Sequence, residues 1–180
     1  MVLFATSNMN KFKEAQGILD FEIRHLEFDY TEIRADAVDE VARDAARAAH
    51  KRCKEPVFVE DTGLFIKSLN GFPGTYSGWV HKKIGVEGII KLLEGVEQRS
   101  AYFEAVIGYM KDKEHVELHH GKCFGTISLE PRGEDGFGYD SIFIPDGEHQ
   151  TFAESIELKN KLSHRYKALL EFSKSISLRS

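Results

Sequence analysis

Three strand-favouring apolar residues, Val57, Phe58 and Val59, run directly into two consecutive carboxylates, Glu60 and Asp61, then Thr62, Gly63 and Leu64. A short apolar run closed by a turn signal reads as a buried strand. In open α/β sheets, ligands bind at the ends of such strands. Two acids at that place cost free energy unless a metal, another cation or a proton meets them. Successive strand side chains point to opposite faces, so Glu60 and Asp61 are expected to have different roles. A solvated acidic turn would carry the same residues, so the decision rests on the remainder of the chain.

A chain of 180 residues is expected to form one domain, residues 1–180, with a sizeable core. Its composition, 42% hydrophobic and 29% charged, is that of a soluble globular protein. No apolar run approaches a membrane span, so no membrane partner is expected. No signal peptide is expected ahead of the fold, because Val2-Leu3-Phe4-Ala5 already reads as a first strand. Cys53 and Cys123 stand far apart, match no metal-ligand spacing, and read as small packed residues in a reducing cytoplasm. A net charge of −5 with interspersed signs argues against a nucleic-acid partner, which needs a basic face. A nucleotide needs only a local cluster of positive groups and is not excluded.

Met1–Thr6 reads as a strand that enters a helix through Ser7 and Asn8, with Asn8 as N-cap and Phe12, Ala15, Ile18 and Leu19 at helical spacing. Free backbone N–H groups, two hydroxyls, an amide and Lys11 at a positive helix end form a ready anion site. An ordinary capped helix with a surface lysine is the commoner outcome of this pattern alone. Phe21–Tyr30 is expected to be an edge-like strand, Thr31–Arg34 a loop, and Asp36 the cap of a long helix with Val38, Val41, Ala42, Ala45 and Ala49 on one face. Asn70–Trp79 is turn-rich, Gly85–Leu93 a short helix, and Ser100–Lys111 with Glu114–Leu129 a hairpin bent at Gly121 and Gly125.

Pro131–Asp140 is a glycine-rich loop with Phe137 and Tyr139, followed by a strand at Ser141–Ile144. Glycines that free the backbone beside aromatics suit stacking on a flat base, although in a surface loop such rings also fold back into the core. Ser163 caps a C-terminal helix whose first turn carries His164 and Arg165. Cations there oppose the helix dipole and call for compensation by an anion or a carbonyl, unless solvent screens them.

Thr6-x-Asn8-x-x-Lys11, Glu60-Asp61-Thr62-Gly63-Leu64, Phe137-Gly138-Tyr139-Asp140 and Ser163-His164-Arg165, with Phe72-Pro73-Gly74 and Phe152-Ala153-Glu154 in place, together resemble the inosine/xanthosine triphosphate pyrophosphatase family. The resemblance runs in order along essentially the whole chain. It implies hydrolysis of ITP, dITP and XTP to the monophosphate and pyrophosphate with Mg²⁺. It also implies a single α/β domain with a long mixed, twisted sheet flanked by helices, in two lobes with a central cleft, and a homodimer. By the same resemblance, Thr6, Ser7, Asn8, Met9, Asn10 and Lys11 bind phosphate, and Glu32 and Asp61 hold the metal, Asp61 also activating water. Thr62 would contact substrate. Phe137, Gly138, Tyr139 and Asp140 form a base-side loop, joined by Lys159, His164 and Arg165.

There are departures. Ser141 stands where many members have Pro, and Trp79 where many have Arg, leaving Lys82 or Lys83 as substitutes. Asp44-Ala45 stands where an Asn-Ala pair is frequent. The chemistry suits the residues: magnesium takes one or two carboxylates plus phosphate oxygens, and water attack on the α-phosphorus needs positioning and charge rather than a covalent nucleophile. A pyrophosphatase for other modified nucleotides and a non-catalytic nucleotide-binding module are the rival readings. The module would have no need of both acids.

Overall fold

The computed structural model describes residues 1–178. Seven strands form a mixed sheet in the order β2-β1-β3-β5-β6-β7, with β4 added to the edge of β3. The strands are β1 (Val2–Ala5), β2 (Ile23–Leu26), β3 (Val57–Ile66), β4 (Pro73–Gly74), β5 (Ser100–Met110), β6 (Glu117–Ile127) and β7 (Phe143–Pro145). Five helices flank them: α1 (Met9–Ile18), α2 (Val38–Cys53), α3 (Ser77–Leu92), α4 (Ile156–Leu162) and α5 (His164–Ser177). Among the described residues no helix is long and apolar enough to cross a membrane.

The expected strand through Val57 is longer than its apolar run. β3 continues past Glu60 and Asp61 because all ten of its residues pair antiparallel with β5, from Val57↔Met110 to Ile66↔Ala101. On its other edge β3 pairs with β1 only at Val57 and Phe58, and with β4 only at Leu64 and Phe65. Between those two short pairings one edge of β3 has no strand neighbour among the described residues, and the two acids lie there. They are mid-strand residues on an open edge rather than residues of a closing turn.

Alternation along β3 divides the core. Phe58 faces α1 and α5 and packs with Phe4, Ile107, Leu169 and Phe172. Val57 and Val59 face α2 and pack with Leu3, Ala45, Ala46 and Ala49. A second lobe gathers Leu64, Ile66, Val80, Ile89, Phe103, Phe143 and Phe152 around the far half of the sheet. Glycines let the helices sit close: a Cβ at Gly108 would lie 2.6 Å from the Ala42 carbonyl oxygen of α2, and one at Gly121 would lie 2.0 Å from the His164 carbonyl oxygen of α5. β6 runs as one strand through both Gly121 and Gly125.

Several expected boundaries move. β2 covers four residues instead of Phe21–Tyr30, because β1, its one strand partner among the described residues, supplies four. The residue at the start of α2 is Ala37 rather than Asp36, without a side-chain cap; Asp39 and Glu40 in its first turn face the positive helix end instead. The short helix expected at Gly85 is the second half of α3, which breaks at Gly85 and begins at Ser77 within the turn-rich stretch. α4, capped by Ser155, was hidden in the polar run before Ser163.

Candidate active site

The open edge of β3 forms one side of a cleft of about 660 Å³ between the lobes. Thr6, Ser7, Asn8, Lys11, Glu32, Glu60, Asp61 and Thr62 line it on one side, and Phe72, Tyr76, Trp79 and Lys82 come from the other lobe. Met9, Asn10, the 137–140 loop, Lys159, His164 and Arg165 are outside this lining.

The segment from β1 to α1 is shaped as its sequence requires. Asn8 Oδ1 accepts from the backbone N–H groups of Asn10 and Lys11 at 3.0 and 3.3 Å, and Thr6 Oγ1 accepts from Asn8 N–H at 3.1 Å. Capping fixes the helix start, so Lys11 projects across the gap beside β1. Its Nζ donates to the Glu60 carbonyl at 3.1 Å, a group that the open edge would otherwise leave unpaired, and lies 3.7 Å from Glu60 Oε1.

Adjacent acids on β3 have opposite surroundings. Glu60 shares the Phe58 face. Arg165 Nε donates to Glu60 Oε2 at 2.7 Å and Arg165 Nη2 to Oε1 at 3.2 Å, and the Thr62 hydroxyl also donates to Oε1. Burial acts to raise the Glu60 pKa, but the charges of Arg165 and Lys11 outweigh it and hold the carboxyl well below the usual range. Asp61 shares the face of Val57 and Val59. Its Oδ2 is buried without a hydrogen-bond partner among the described residues. Burial raises its pKa from 3.8 to about 7, with help from the charges of Glu32 and Glu60 and against the pull of Lys11. Tyr30, on the loop beside it, is likewise held protonated by burial and by the charges of Glu32 and Asp61.

Behind Glu60 lies a buried network that joins most of the late-chain residues. Arg165 Nη1 donates to Glu14 Oε2 at 2.8 Å, and Lys159 Nζ donates to Glu14 Oε1 at 2.6 Å and to Asp140 Oδ2 at 2.7 Å. Asp140 Oδ2 also accepts from Phe137 N–H at 2.7 Å, so this acid ties the glycine-rich loop to α4. The Phe137 ring lies 4.2 Å from Lys159 Nζ and 5.4 Å from Arg165 Cζ, centroid to atom. The compensation expected for cations at the start of α5 is therefore internal. Glu60 and Glu14 hold Arg165 fully charged despite its burial. His164 is kept neutral by burial and by the neighbouring Arg165 charge. Its ring stacks on Phe103 at 4.4 Å, in the core. Tyr139 is buried too, its hydroxyl donating to the Ser77 carbonyl at 2.9 Å. Gly138 supplies a positive φ of 66° in the same loop.

Two features escaped sequence reading. Glu14 links Lys159 and Arg165; it stands three residues after Lys11, on the same face of α1, and that spacing was the available signal. Phe28 and Tyr30 form a stacked pair, 5.0 Å apart, at the side of the cleft.

A family model described as the Ham1 family matches residues 2–175. The chain belongs to the Ham1 family. It is 50% identical over 175 residues to the dITP/XTP pyrophosphatase of Methanopyrus kandleri, covering 95% of this chain and 93% of that protein. It is 47% identical to the dITP/XTP pyrophosphatase of Pyrococcus horikoshii, covering 95% and 94%. Among solved structures, the Coxiella burnetii HAM1 protein superposes with a TM-score of 0.85 at 33% identity, covering 99% of this chain and 100% of that one. The Staphylococcus aureus Ham1 protein gives 0.87 at 26% identity over the full length of both. The α/β architecture with its mixed sheet is thus the Ham1 fold.

The donor set at the open edge suits a hard cation. A buried carboxylate oxygen without a partner among the described residues, with the charge of Glu32 acting on it, is an oxygen donor set that would accept a divalent cation. A group of possible ligands, Asp39, Glu104 and His120, lies elsewhere, and none of the three lines the cleft.

Proposed function

We propose that residues 1–180 act as one nucleotide pyrophosphatase domain that hydrolyses non-standard purine triphosphates, dITP, ITP and XTP, to the monophosphate and pyrophosphate. The observation that carries this reading is the unpartnered Oδ2 of Asp61 in a cleft that the capped helix start and Lys11 also line. Relatives with that activity support the substrate class.

Thr6, Ser7, Asn8 and Lys11 receive phosphate oxygens, with Met9 and Asn10 completing the segment. Glu32 and Asp61 would hold Mg²⁺, which when bound offsets phosphate charge and makes water more acidic. Asp61, holding the metal, would also orient the attacking water and help to take its proton. Water oxygen adds to the α-phosphorus, and the bond to the β-phosphate bridging oxygen breaks with its electron pair. Thr62 steadies Glu60. The base end is assigned to Phe137, Gly138, Tyr139, Asp140, Lys159, His164 and Arg165. There Phe137 offers a stacking face, and Lys159 and Arg165 offer donors to a purine 6-carbonyl once they exchange carboxylate partners. Adenine, with an amino group at that place, would leave such donors unpaired.

The enzyme is assigned to the cytoplasm and to a homodimer, without a nucleic-acid partner. An aromatic ladder on the β3-β5-β6 face, Phe65, Tyr102 and the exposed Phe124, favours pairing of two copies. Light scattering should give twice the monomer mass at micromolar concentration; a monomer mass would refute the dimer. The reaction is tested by chromatography of an ITP digest with and without Mg²⁺. IMP and pyrophosphate are expected, and only with the metal. IDP and orthophosphate as the main products would overturn the assignment.

A further inference from the structure

The cations of the cleft are not equivalent. Lys11 is engaged, its Nζ on the carbonyl and carboxylate of Glu60. Arg165 and Lys159 are spent on Glu60, Glu14 and Asp140 behind the sheet. Arg34 and Lys82 also line the cleft, both are exposed, and among the described residues neither side chain has a hydrogen bond or an ion pair. They come from opposite sides: Arg34 from the loop that carries Glu32, Lys82 from α3 in the other lobe. Lys83, the neighbouring lysine, does not line the cleft; its Nζ lies 5.6 Å from the Trp79 ring centroid.

The order of groups gives these two a place. Arg165 and Phe137 lie behind Glu60, and Lys11 spans from α1 to Glu60. Asp61 follows on the next position of β3, and Glu32 acts electrostatically on it. Arg34 is two residues beyond Glu32, and Lys82 faces the cleft from the far lobe. A nucleotide whose base lies toward Phe137 and whose α-phosphate lies at Lys11 and Asp61 therefore extends its remaining phosphates toward Arg34 and Lys82.

We propose that Arg34 and Lys82 form the pyrophosphate end of the cleft, holding the β- and γ-phosphates and the pyrophosphate that leaves. This rests on the reading of the cleft as a triphosphate pyrophosphatase site. Negative charge grows on the bridging oxygen as the α-phosphate bond breaks, so two cations at that end act where charge develops. Arg34 can take two phosphate oxygens at once, and Lys82 acts as a point charge. Their placement on separate lobes means that the tail of the substrate bridges the cleft, and a diphosphate, lacking the γ-phosphate, bridges it poorly.

The test measures inhibition of ITP turnover by pyrophosphate and by IMP, for the intact protein and for Arg34→Ala, Lys82→Ala and Lys83→Ala at fixed ionic strength. Arg34→Ala and Lys82→Ala should each weaken pyrophosphate inhibition by about tenfold, the size of one charge-assisted contact. IMP inhibition should stay within about twofold of the parent. Lys83→Ala should leave both constants where they were. Unchanged pyrophosphate inhibition in both cleft variants would overturn the proposal. So would an equal weakening of IMP and pyrophosphate, or a Lys83→Ala effect as large as that of Lys82→Ala, because general surface charge would then be the cause. If the intact protein releases no pyrophosphate from ITP, the parent reading fails first, and that result is distinct from any of these.

Discussion

Glu60 and Asp61 are neighbours on one strand, yet one belongs to a finished structure and the other to an unfinished one. On the Phe58 face, Glu60 accepts three charge-assisted or hydroxyl bonds and is part of a chain of ion pairs reaching Asp140. On the Val59 face, Asp61 is half-buried, with a buried oxygen, Oδ2, that nothing in the described chain satisfies. A satisfied buried network is scaffold: it fixes α1, α4, α5 and the glycine-rich loop relative to the sheet. An unsatisfied buried carboxylate costs stability unless a ligand meets it, and it marks where chemistry happens. The two faces should therefore respond differently to the same kind of damage.

The largest effect is expected on the paired face. Arg165→Ala leaves the buried Glu60 and the half-buried Glu14 without their guanidinium, and chemical denaturation should show a loss of about 3–5 kcal/mol. A loss below about 1 kcal/mol would mean that the network is not scaffold. Asp61→Asn should do the reverse, lowering ITP turnover by about two orders of magnitude or more while the fold persists. Its stability effect carries a sign. The folded chain holds the Asp61 proton up to about pH 7, whereas the ordinary value is 3.8. Between those values the folded state binds more protons, so the metal-free protein loses stability as pH rises through that window. Thermal melting without metal should place Asp61→Asn above the parent at about pH 8, with the gap closing as pH falls through the window toward 3.8. Near-normal turnover, or a variant that melts lower at high pH, would break the contrast.

Smaller effects sharpen it. Phe137→Ala should reduce kcat/KM for ITP and XTP alike by about 1–3 kcal/mol, since every base offers a face to stack. Unequal losses would make Phe137 a reader of base edges. Glu32→Gln should shift the Mg²⁺ titration of turnover to higher concentration with little change at saturation, and an unshifted titration would remove Glu32 from the metal site. Ser163→Ala deletes the α5 cap on Tyr166 N–H, 3.1 Å away, and should cost about 1 kcal/mol.

Much of this was legible in the chain. Asn8 and Ser163 cap as their residue types demand, because capping is decided within four residues. The opposite facing of Glu60 and Asp61 follows from the two-residue period of a strand. What was not legible depends on partners distant in sequence. Whether β3 stops at Glu60 or continues is decided by β5, more than thirty residues away. Glu14 and Lys159 are separated by 145 residues, and neither announces the other. The same holds for His164, whose ring stacks on Phe103, 61 residues earlier in the chain.

If the unpartnered Oδ2 of Asp61 is a cation site, proton release measures it directly. Mg²⁺ binding to the nucleotide-free protein, followed by calorimetry in buffers of different ionisation enthalpy, reports the protons displaced. With an Asp61 pKa raised to about 7, binding at about pH 6 should release close to one proton. The release should vanish above about pH 8 and be absent in Asp61→Asn. Magnesium that binds at about pH 6 without releasing a proton, or a release that survives in Asp61→Asn, would contradict the account.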